Sequence, residues 1–241
     1  MRTRDGWARR ASIVARWPAG MAFTTWSYLW RITALHRTEC EGDEDDVCPQ
    51  LPPEISNERI QAQSDGFGPY YHRRYSVRIA EPTRSGAELI DQVVRDPNRA
   101  APSEVAVFRK VSGEAGPLEV GDDLVVRMPG PWDGPVRVVA RTPTSVRLAT
   151  LRGHLEAGQI EFRARDEDGD IEFEIESWTT NGNRLADLLY DRVRLMKEMQ
   201  LHMWVHYCER AAKLAGGRRR GGVTVETRRW NPSPRPPRPA T

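Results

Sequence analysis

The 241-residue chain carries a formal net charge of +2 and is 39% hydrophobic and 29% charged, which is ordinary for a globular protein with one sizeable core. Its three cysteines form no Cys-x-x-Cys pair and leave an odd thiol. This argues against a disulfide framework and for a reducing, cytoplasmic setting. Nearly all basic residues are arginines, a bias that a GC-rich genome explains, so no specific nucleic acid is expected as a partner.

Residues 1–50 are expected to form an N-terminal extension, first basic and aromatic and then acidic. The apolar run from Met21 to Trp30 is only about half of what a membrane span needs. Two interpretations stay open for residues 1–32: their aromatic side chains pack on the folded domain, or they lie in a membrane surface as a peripheral contact. The acidic stretch from Glu39 to Asp46 is expected to be solvated.

The rest of the chain divides into a connector, one folded domain and a tail. Residues 51–71 are rich in Pro, Gly and polar residues, which is typical of a connector. The folded domain is expected over residues 72–217. Residues 218–241 are rich in Arg and Pro and are expected to be a disordered tail, with a single strand-like run at 223–227.

The domain begins with a strand, because Tyr75, Val77 and Ile79 alternate with more polar residues. Ser85 and Glu88 then form a capping box for a short helix. Turn residues separate most of the strand-like runs that follow, which predicts antiparallel hairpins. These runs are residues 105–111, 122–128, 136–141, 145–151, 159–165 and 171–178.

The last two runs predict the best-defined hairpin. One face carries apolar residues such as Phe162 and Phe173, and the other carries alternating Arg and Glu residues. Both plausible registers place Arg opposite Glu on the outer face. A solvated face of ion pairs is favoured there over a metal or acid–base site.

A long helix is predicted from Asn183 to Leu214, where apolar residues recur at steps of three and four. Asn183 can cap this helix and Gly216 can end it. The order of elements predicts an α+β fold, in which a curved antiparallel sheet of six or seven strands wraps the C-terminal helix. Such an arrangement can leave a cavity between sheet and helix.

Four segments resemble the bacterial and plant family of unknown function DUF1990. They are His72-Arg-Arg-Tyr75, Pro97-Asn-Arg-Ala-Ala-Pro102, Gly153-His-Leu-Glu-Ala-Gly158 with the strand after it, and the long helix. The resemblance covers about Gly66 to Gly217. It implies a fold similar to the START and polyketide-cyclase (SRPBCC) proteins, with a pocket and no established reaction. Where many members carry Glu, this chain has Gln159, so no shared catalytic carboxylate is implied there.

The leading hypothesis is a non-enzymatic protein that binds a small hydrophobic or lipid-like ligand in this cavity without a cofactor. The candidate ligand-binding residues are Trp132, Tyr190, Met196, Gln200 and Met203. The methionines would give the helix an adaptable wall. Gln200 is the one polar residue on the apolar face of the helix, so its amide must find a hydrogen-bond partner.

An enzyme using the same cavity is the alternative, with His154 as acid–base catalyst and Glu156 as its orienting partner. Turn stabilisation or ligand contact is the competing interpretation of this pair. His202 and His206 have the helical spacing of zinc ligands, but their stripe is offset from the apolar face, so no metal site is predicted. A third hypothesis is an interaction module that acts on a membrane or partner through the N-terminal aromatics. The oligomeric state is left open.

Overall fold

The structure is a computed structural model that describes residues 35–128, 133–182 and 190–230, with the side chains of the second helix from Gln200 onward. Several predictions fall outside these residues. They concern the N-terminal aromatic segment, the Asn183 cap, Trp132, the side chains of Tyr190 and Met196, and the tail from residue 231 to 241. No described helix is long and apolar enough to cross a membrane.

Nine strands and two α-helices make up the described fold. The strands are β1 (Leu35–Glu41), β2 (Phe67–Ala80), β3 (Val107–Lys110), β4 (Asp123–Arg127), β5 (Asp133–Thr142), β6 (Ser145–Thr150), β7 (Glu156–Glu167), β8 (Asp170–Asn181) and β9 (Arg218–Trp230). The helices are α1 (Gly86–Arg95) and α2 (Tyr190–Leu214). All strands join one curved sheet in the order β1-β9-β2-β8-β7-β6-β5-β4-β3.

The sheet grips α2 against one of its faces, which we call the concave face. Neighbouring strands are antiparallel throughout, apart from β1, which lies parallel to β9. The predicted α+β helix-grip class is therefore confirmed. The opposite, convex face is crossed by the segment between β1 and β2.

Local signals in the sequence define the ends of several elements. The Ser85 hydroxyl accepts a hydrogen bond from the Glu88 N–H at 3.2 Å, and the Glu88 carboxylate accepts one from the Ser85 N–H at 2.7 Å. This is the predicted capping box of α1. Asp168 and Gly169 have φ angles of 51° and 80°, as a tight turn between β7 and β8 requires.

The main core lies between the concave face and the C-terminal half of α2. Tyr207, Cys208 and Ala211 have no exposed surface, and the Tyr207 ring lies 5.2 Å from the Phe162 ring and 6.2 Å from the Phe173 ring, between centroids. Small residues at 211, 212 and 215 let the helix backbone approach the sheet closely. Each large apolar side chain buried in this way stabilises the fold by about 1.5–3 kcal/mol.

The sheet is larger than the predicted six or seven strands because residues outside the expected domain join it. The prediction of a disordered tail is wrong for residues 218–230, which form β9 between β1 and β2. Its alternating Val223, Val225 and Thr227 are buried, and this inward pattern outweighs the charge of the arginines that flank it at both ends of the strand. The expected connector is also shorter, since β2 begins at Phe67.

The acidic stretch before the connector is only partly solvated. Its first residues, Glu39 to Glu41, lie in β1 and are exposed, as predicted, whereas Asp46 keeps only 3% of its surface. The chain from residue 42 to 66 packs on the convex face. There Ile60 pairs with Leu151, and both residues belong to a small apolar cluster. Gln159 fastens this segment, because its amide donates to the Cys48 sulfur at 2.9 Å and to the Pro49 carbonyl at 2.6 Å.

A buried histidine fixes the start of this segment to the sheet. His72 Nδ1 lies 2.7 Å from Asp46 Oδ1, and His72 Nε2 lies 2.7 Å from Glu176 Oε1. The imidazole also stacks on Trp178, with 5.4 Å between ring centroids. Two carboxylates flank the two ring nitrogens, so the arrangement requires the doubly protonated imidazolium. We call His72, Asp46 and Glu176 the His72 clamp.

The electrostatics of the clamp follow from its burial and its charges. Burial alone disfavours the imidazolium, but hydrogen bonds and charge from Glu176 and Asp46 outweigh it and raise the pKa of His72. Burial likewise opposes charge on the two carboxylates, yet His72 and neighbouring arginines lower the pKa of Asp46 and of Glu176.

The outer face of the β7–β8 hairpin is less solvated than predicted. The predicted opposition of Arg and Glu is present at Arg163 and Glu174, whose side chains lie 3.2 Å apart. Glu174 and Glu176 are nevertheless buried, with 7% and 6% of their surface exposed. Arg74 from β2 contacts both carboxylates and covers them, which a two-stranded pattern does not reveal.

We expect His72→Gln to destabilise the fold by about 3 kcal/mol, because two buried carboxylates lose their shared cation. The wild-type contribution is complete below the unfolded-state pKa of about 6.5 and is lost as pH rises through the raised folded-state value. Between about pH 6 and about pH 8, the free energy of unfolding measured in urea should therefore fall more steeply in the wild type than in the variant.

His36→Gln is the matched control for the His72 clamp, since His36 is exposed on β1. It should leave both the stability and its pH dependence unchanged. An equal pH dependence of unfolding in the wild type and His72→Gln would contradict a charged clamp.

Candidate functional site

The concave face changes from apolar to polar along β2, between Tyr75 and Arg73. Successive rows across β9, β2, β8 and β7 read Val225–Tyr75–Ile175–Phe162, then Thr227–Arg73–Ser177–Ile160, then Arg229–Tyr71–Thr179–Gly158. The first row belongs to the main core. The next two rows bring charged and hydroxyl side chains to the face that the helix covers.

Helix α2 runs in the same direction as β2 across this change. The Ala215 carbonyl accepts from the Thr83 N–H at 3.1 Å beyond the end of β2, and the Cys208 sulfur lies 4.0 Å from the Tyr75 carbonyl oxygen. Gln200 contacts Glu156 at the start of β7. The first half of α2 therefore lies over the polar rows, and its C-terminal half lies over the apolar core.

Arg73 is the central side chain of the polar rows. Only 7% of its surface is exposed, although it carries a permanent charge. Its Nη1 lies 3.9 Å from Glu156 Oε1, and its guanidinium carbon lies 4.5 Å from the centre of the Tyr71 ring. On the sheet side of these rows, Arg73 Nη1 and Thr179 Oγ1 are among the buried side-chain atoms of the described residues that have no hydrogen-bond partner.

Glu156 connects Arg73 to the helix. Its Oε2 accepts a hydrogen bond from the Gln200 amide at 2.8 Å. This contact supplies the partner that Gln200 was expected to need on the apolar face of α2. We call Arg73, Glu156 and Gln200 the polar cluster.

His154 has a different environment from Glu156. The Glu156 backbone N–H donates to His154 Nδ1 at 2.9 Å, and the same nitrogen lies 3.0 Å from the Glu156 carbonyl oxygen. The Nε2 edge contacts Gly134, where a Cβ atom would come within 2.9 Å of it. Burial lowers the pKa of His154 and so favours the neutral ring, although the Glu156 charge acts in the opposite direction. This geometry supports the turn-stabilising interpretation, and acid–base catalysis by His154 stays a prediction.

Gln61, which the sequence placed in the connector, holds the same turn from the other side. Its amide donates to the carbonyl oxygens of His154 at 3.0 Å and Glu156 at 3.1 Å. The side chains of His154 and Gln61, which are far apart in the sequence, thus both bind the Glu156 backbone and fix its position. Nothing in the local sequence pattern marks Gln61 for this role.

The other predicted site residues have separate outcomes. Met203 is 4% exposed and lies in the main core. Tyr190 is the first residue of α2, and its side chain, like those of Met196 and Trp132, lies outside the described residues. The part of the chain that the structure describes holds no group of three metal-ligating side chains.

Arg73 and Thr179 are the site residues that sequence reasoning missed. The signal for Arg73 was present, because it shares the inward phase of β2 with Tyr75 and Val77 and is therefore a cation on a core face. Thr179 carries no comparable signal. Its position follows only from its pairing with Tyr71.

An open groove of about 500 Å³ among the described residues lies elsewhere. It is formed between α1 and the β5–β6 turn, and its lining includes Ile90, Val120 and Arg141. Its residues belong to neither the polar cluster nor α2.

A curved antiparallel sheet that grips a long C-terminal helix defines this protein as a member of the helix-grip class. Within that class, the family model described as "Domain of unknown function (DUF1990)" matches residues 59–210, and the chain belongs to this family. The predicted resemblance is thereby confirmed. β1 and β9 lie outside the matched range. No curated protein matches the sequence.

Solved structures with a similar arrangement include the di-domain ARO/CYC StfQ from the steffimycin biosynthetic pathway, at 10% identity and a TM-score of 0.47. The match covers 64% of this chain and 52% of StfQ, so the chain spans about half the length of that protein. Major latex-like protein 151 from Panax ginseng matches at 14% identity and a TM-score of 0.35, over 55% of this chain and 97% of its own. At sequence identities this low, neither a ligand nor a reaction of these proteins can be assigned to this chain.

We expect His154→Asn to preserve stability, since an amide oxygen can accept the Glu156 N–H in place of Nδ1. His154→Ala should lose about 1 kcal/mol, the usual contribution of one such hydrogen bond. Denaturant unfolding of the three proteins measures this difference. Equal stability of the Ala variant and the wild type would contradict the turn-stabilising role.

Proposed function

We propose that the protein binds a small hydrophobic or lipid-like ligand between the concave face and the first half of α2. The observation that supports this proposal is the pair of buried, unpartnered polar atoms on that face, Arg73 Nη1 and Thr179 Oγ1. A buried polar group without a partner costs about 1–3 kcal/mol. A bound molecule that supplies the missing hydrogen bonds would offset this cost.

The packing of α2 favours one end of the concave face as the binding site. Over the apolar rows, Tyr207 and the neighbouring alanines fill the space between helix and sheet. Over the polar rows, the side chains of the sheet are small or hydrophilic, as at Ser177 and Thr179. Trp204 Nε1, one helical turn from Gln200, is a further buried donor without a described partner.

Binding without catalysis fits the state of the two acid–base candidates. His154 Nδ1 is engaged by the backbone of its own turn, and burial lowers its pKa. Glu156 is engaged by Gln200 and faces Arg73. His154 binds the backbone of Glu156, and the Glu156 side chain belongs to the polar cluster. We propose that the protein acts in the cytoplasm, where a reducing setting suits its free thiols.

Native mass spectrometry of the full chain, purified under mild conditions, tests whether a small molecule is carried along. Saturable binding of Nile red, a neutral apolar dye, tests the site on ligand-free protein. We expect about one bound molecule per chain. Thr179→Phe should weaken Nile red binding at least about tenfold, because the added ring occupies the concave face at the polar rows.

Thr224→Phe provides the control, since Thr224 lies on β9 in the row of Ser76, on the convex side of the sheet. It should bind the dye as the wild type does. Circular dichroism and thermal unfolding establish that both variants are folded. Wild-type affinity in a folded Thr179→Phe protein would contradict the proposed location, and absence of any bound molecule would contradict the proposed function.

A further inference from the structure

The guanidinium of Arg73 has unused binding capacity. Arginine carries five N–H donors in a fixed planar arrangement, and none of them makes a hydrogen bond within the described residues. The nearest carboxylate oxygen, Glu156 Oε1, is 3.9 Å from Nη1, which is beyond hydrogen-bond distance. The Tyr71 ring contributes a cation–π contact on one side.

Burial of this charge is expensive without a close partner. The Arg73 side chain keeps 8% of its surface, whereas Glu156 keeps 23% and is also held by Gln200. A buried cation that lacks hydrogen bonds is a state that proteins seldom keep unless something else supplies them. The strand holds Arg73 in this place, because β2 is paired on both sides at this row.

We infer that the ligand of the proposed site is an amphiphile with a single carboxylate, and that Arg73 binds this carboxylate through its paired N–H donors. This inference rests on the proposed function and names the class of its ligand. A carboxylate matches the guanidinium fork and makes charge-assisted hydrogen bonds. The Thr179 hydroxyl, in the next row of the concave face, offers one further donor to the same group.

The local charge favours a carboxylate over a phosphate monoester. Arg73 is the buried cation of the polar rows, whereas Arg229 in the outer row is exposed. Glu156 is the carboxylate nearest to Arg73, so a second negative charge on the ligand would be repelled by Glu156. A monoanion restores one close ion pair. A dianion would leave an excess of negative charge in a buried place, which is unfavourable.

The apolar part of such a ligand would lie under the first half of α2. The head-group is bound at Arg73, where the polar rows meet the main core, and the core beyond Tyr75 is closed by Tyr207 and Cys208. The tail therefore extends away from the core, toward the start of the helix.

Dansyl-undecanoic acid and its methyl ester form a matched pair of fluorescent probes that differ only in the charged head-group. We expect the wild-type protein to bind the acid about tenfold to a hundredfold more tightly than the ester. Arg73→Met should remove this preference by weakening acid binding, with ester binding unchanged. Arg78→Met is the control on the same strand, because Arg78 is partly exposed and contacts Asp170 on the other face. It should retain the preference.

The outcomes separate this inference from the proposed function. Equal binding of acid and ester by the wild type would overturn the carboxylate assignment and leave the ligand site standing. A retained preference in folded Arg73→Met would overturn the role of Arg73. Absence of binding by either probe, together with absence of Nile red binding, would overturn both proposals. If Arg73→Met fails to fold, the wild-type comparison of the two probes still decides the ligand class.

Discussion

Close packing of the C-terminal half of α2 on the sheet is the constraint on which the rest of the structure depends. Tyr207, Cys208 and Ala211 have no exposed surface, and they lie against the apolar rows of four strands. This contact buries the apolar stripe that gives the helix its tertiary stability. It also fixes the angle at which α2 crosses β2, and so places Gln200 beside Glu156.

The central strand β2 carries buried charge on both of its faces. On the convex side, His72 is held between Asp46 and Glu176 at hydrogen-bond distance from each. On the concave side, Arg73 has one distant carboxylate and no hydrogen bond among the described residues. The satisfied charges join the N-terminal segment to the sheet. The unsatisfied charge of Arg73 is the reason to propose a ligand. Its neighbour in the strand, His72, is a buried cation with both of its hydrogen bonds made within the protein, and Arg73 has no such partners.

The fold of this chain extends beyond the part that matches the family. β9 inserts between β1 and β2, and β1 forms the exposed edge of the sheet. The edge strand carries charged residues such as Arg37, Glu39 and Glu41, which discourage pairing with other chains. The segment from residue 42 to 66 covers the convex face, so the strands around β2 are packed on both sides.

The sequence by itself determined the features that depend on local periodicity: the strand at Tyr75, the capping box at Ser85, the hairpin of β7 and β8, and the long helix. These features predicted an α+β layout with a sheet around the long helix and placed Gln200 on the apolar face of that helix, and the family resemblance added the helix-grip class. Only the tertiary structure decided which distant groups meet. The His72 clamp joins residues 104 positions apart, and Gln200 meets Glu156 across 44 positions. Periodicity reports which face of an element is buried, whereas the partner on that face is chosen by strand order and helix crossing. For the same reason the arginine-rich β9 was taken for a tail, since its place in the sheet depends on the edge that β2 offers it.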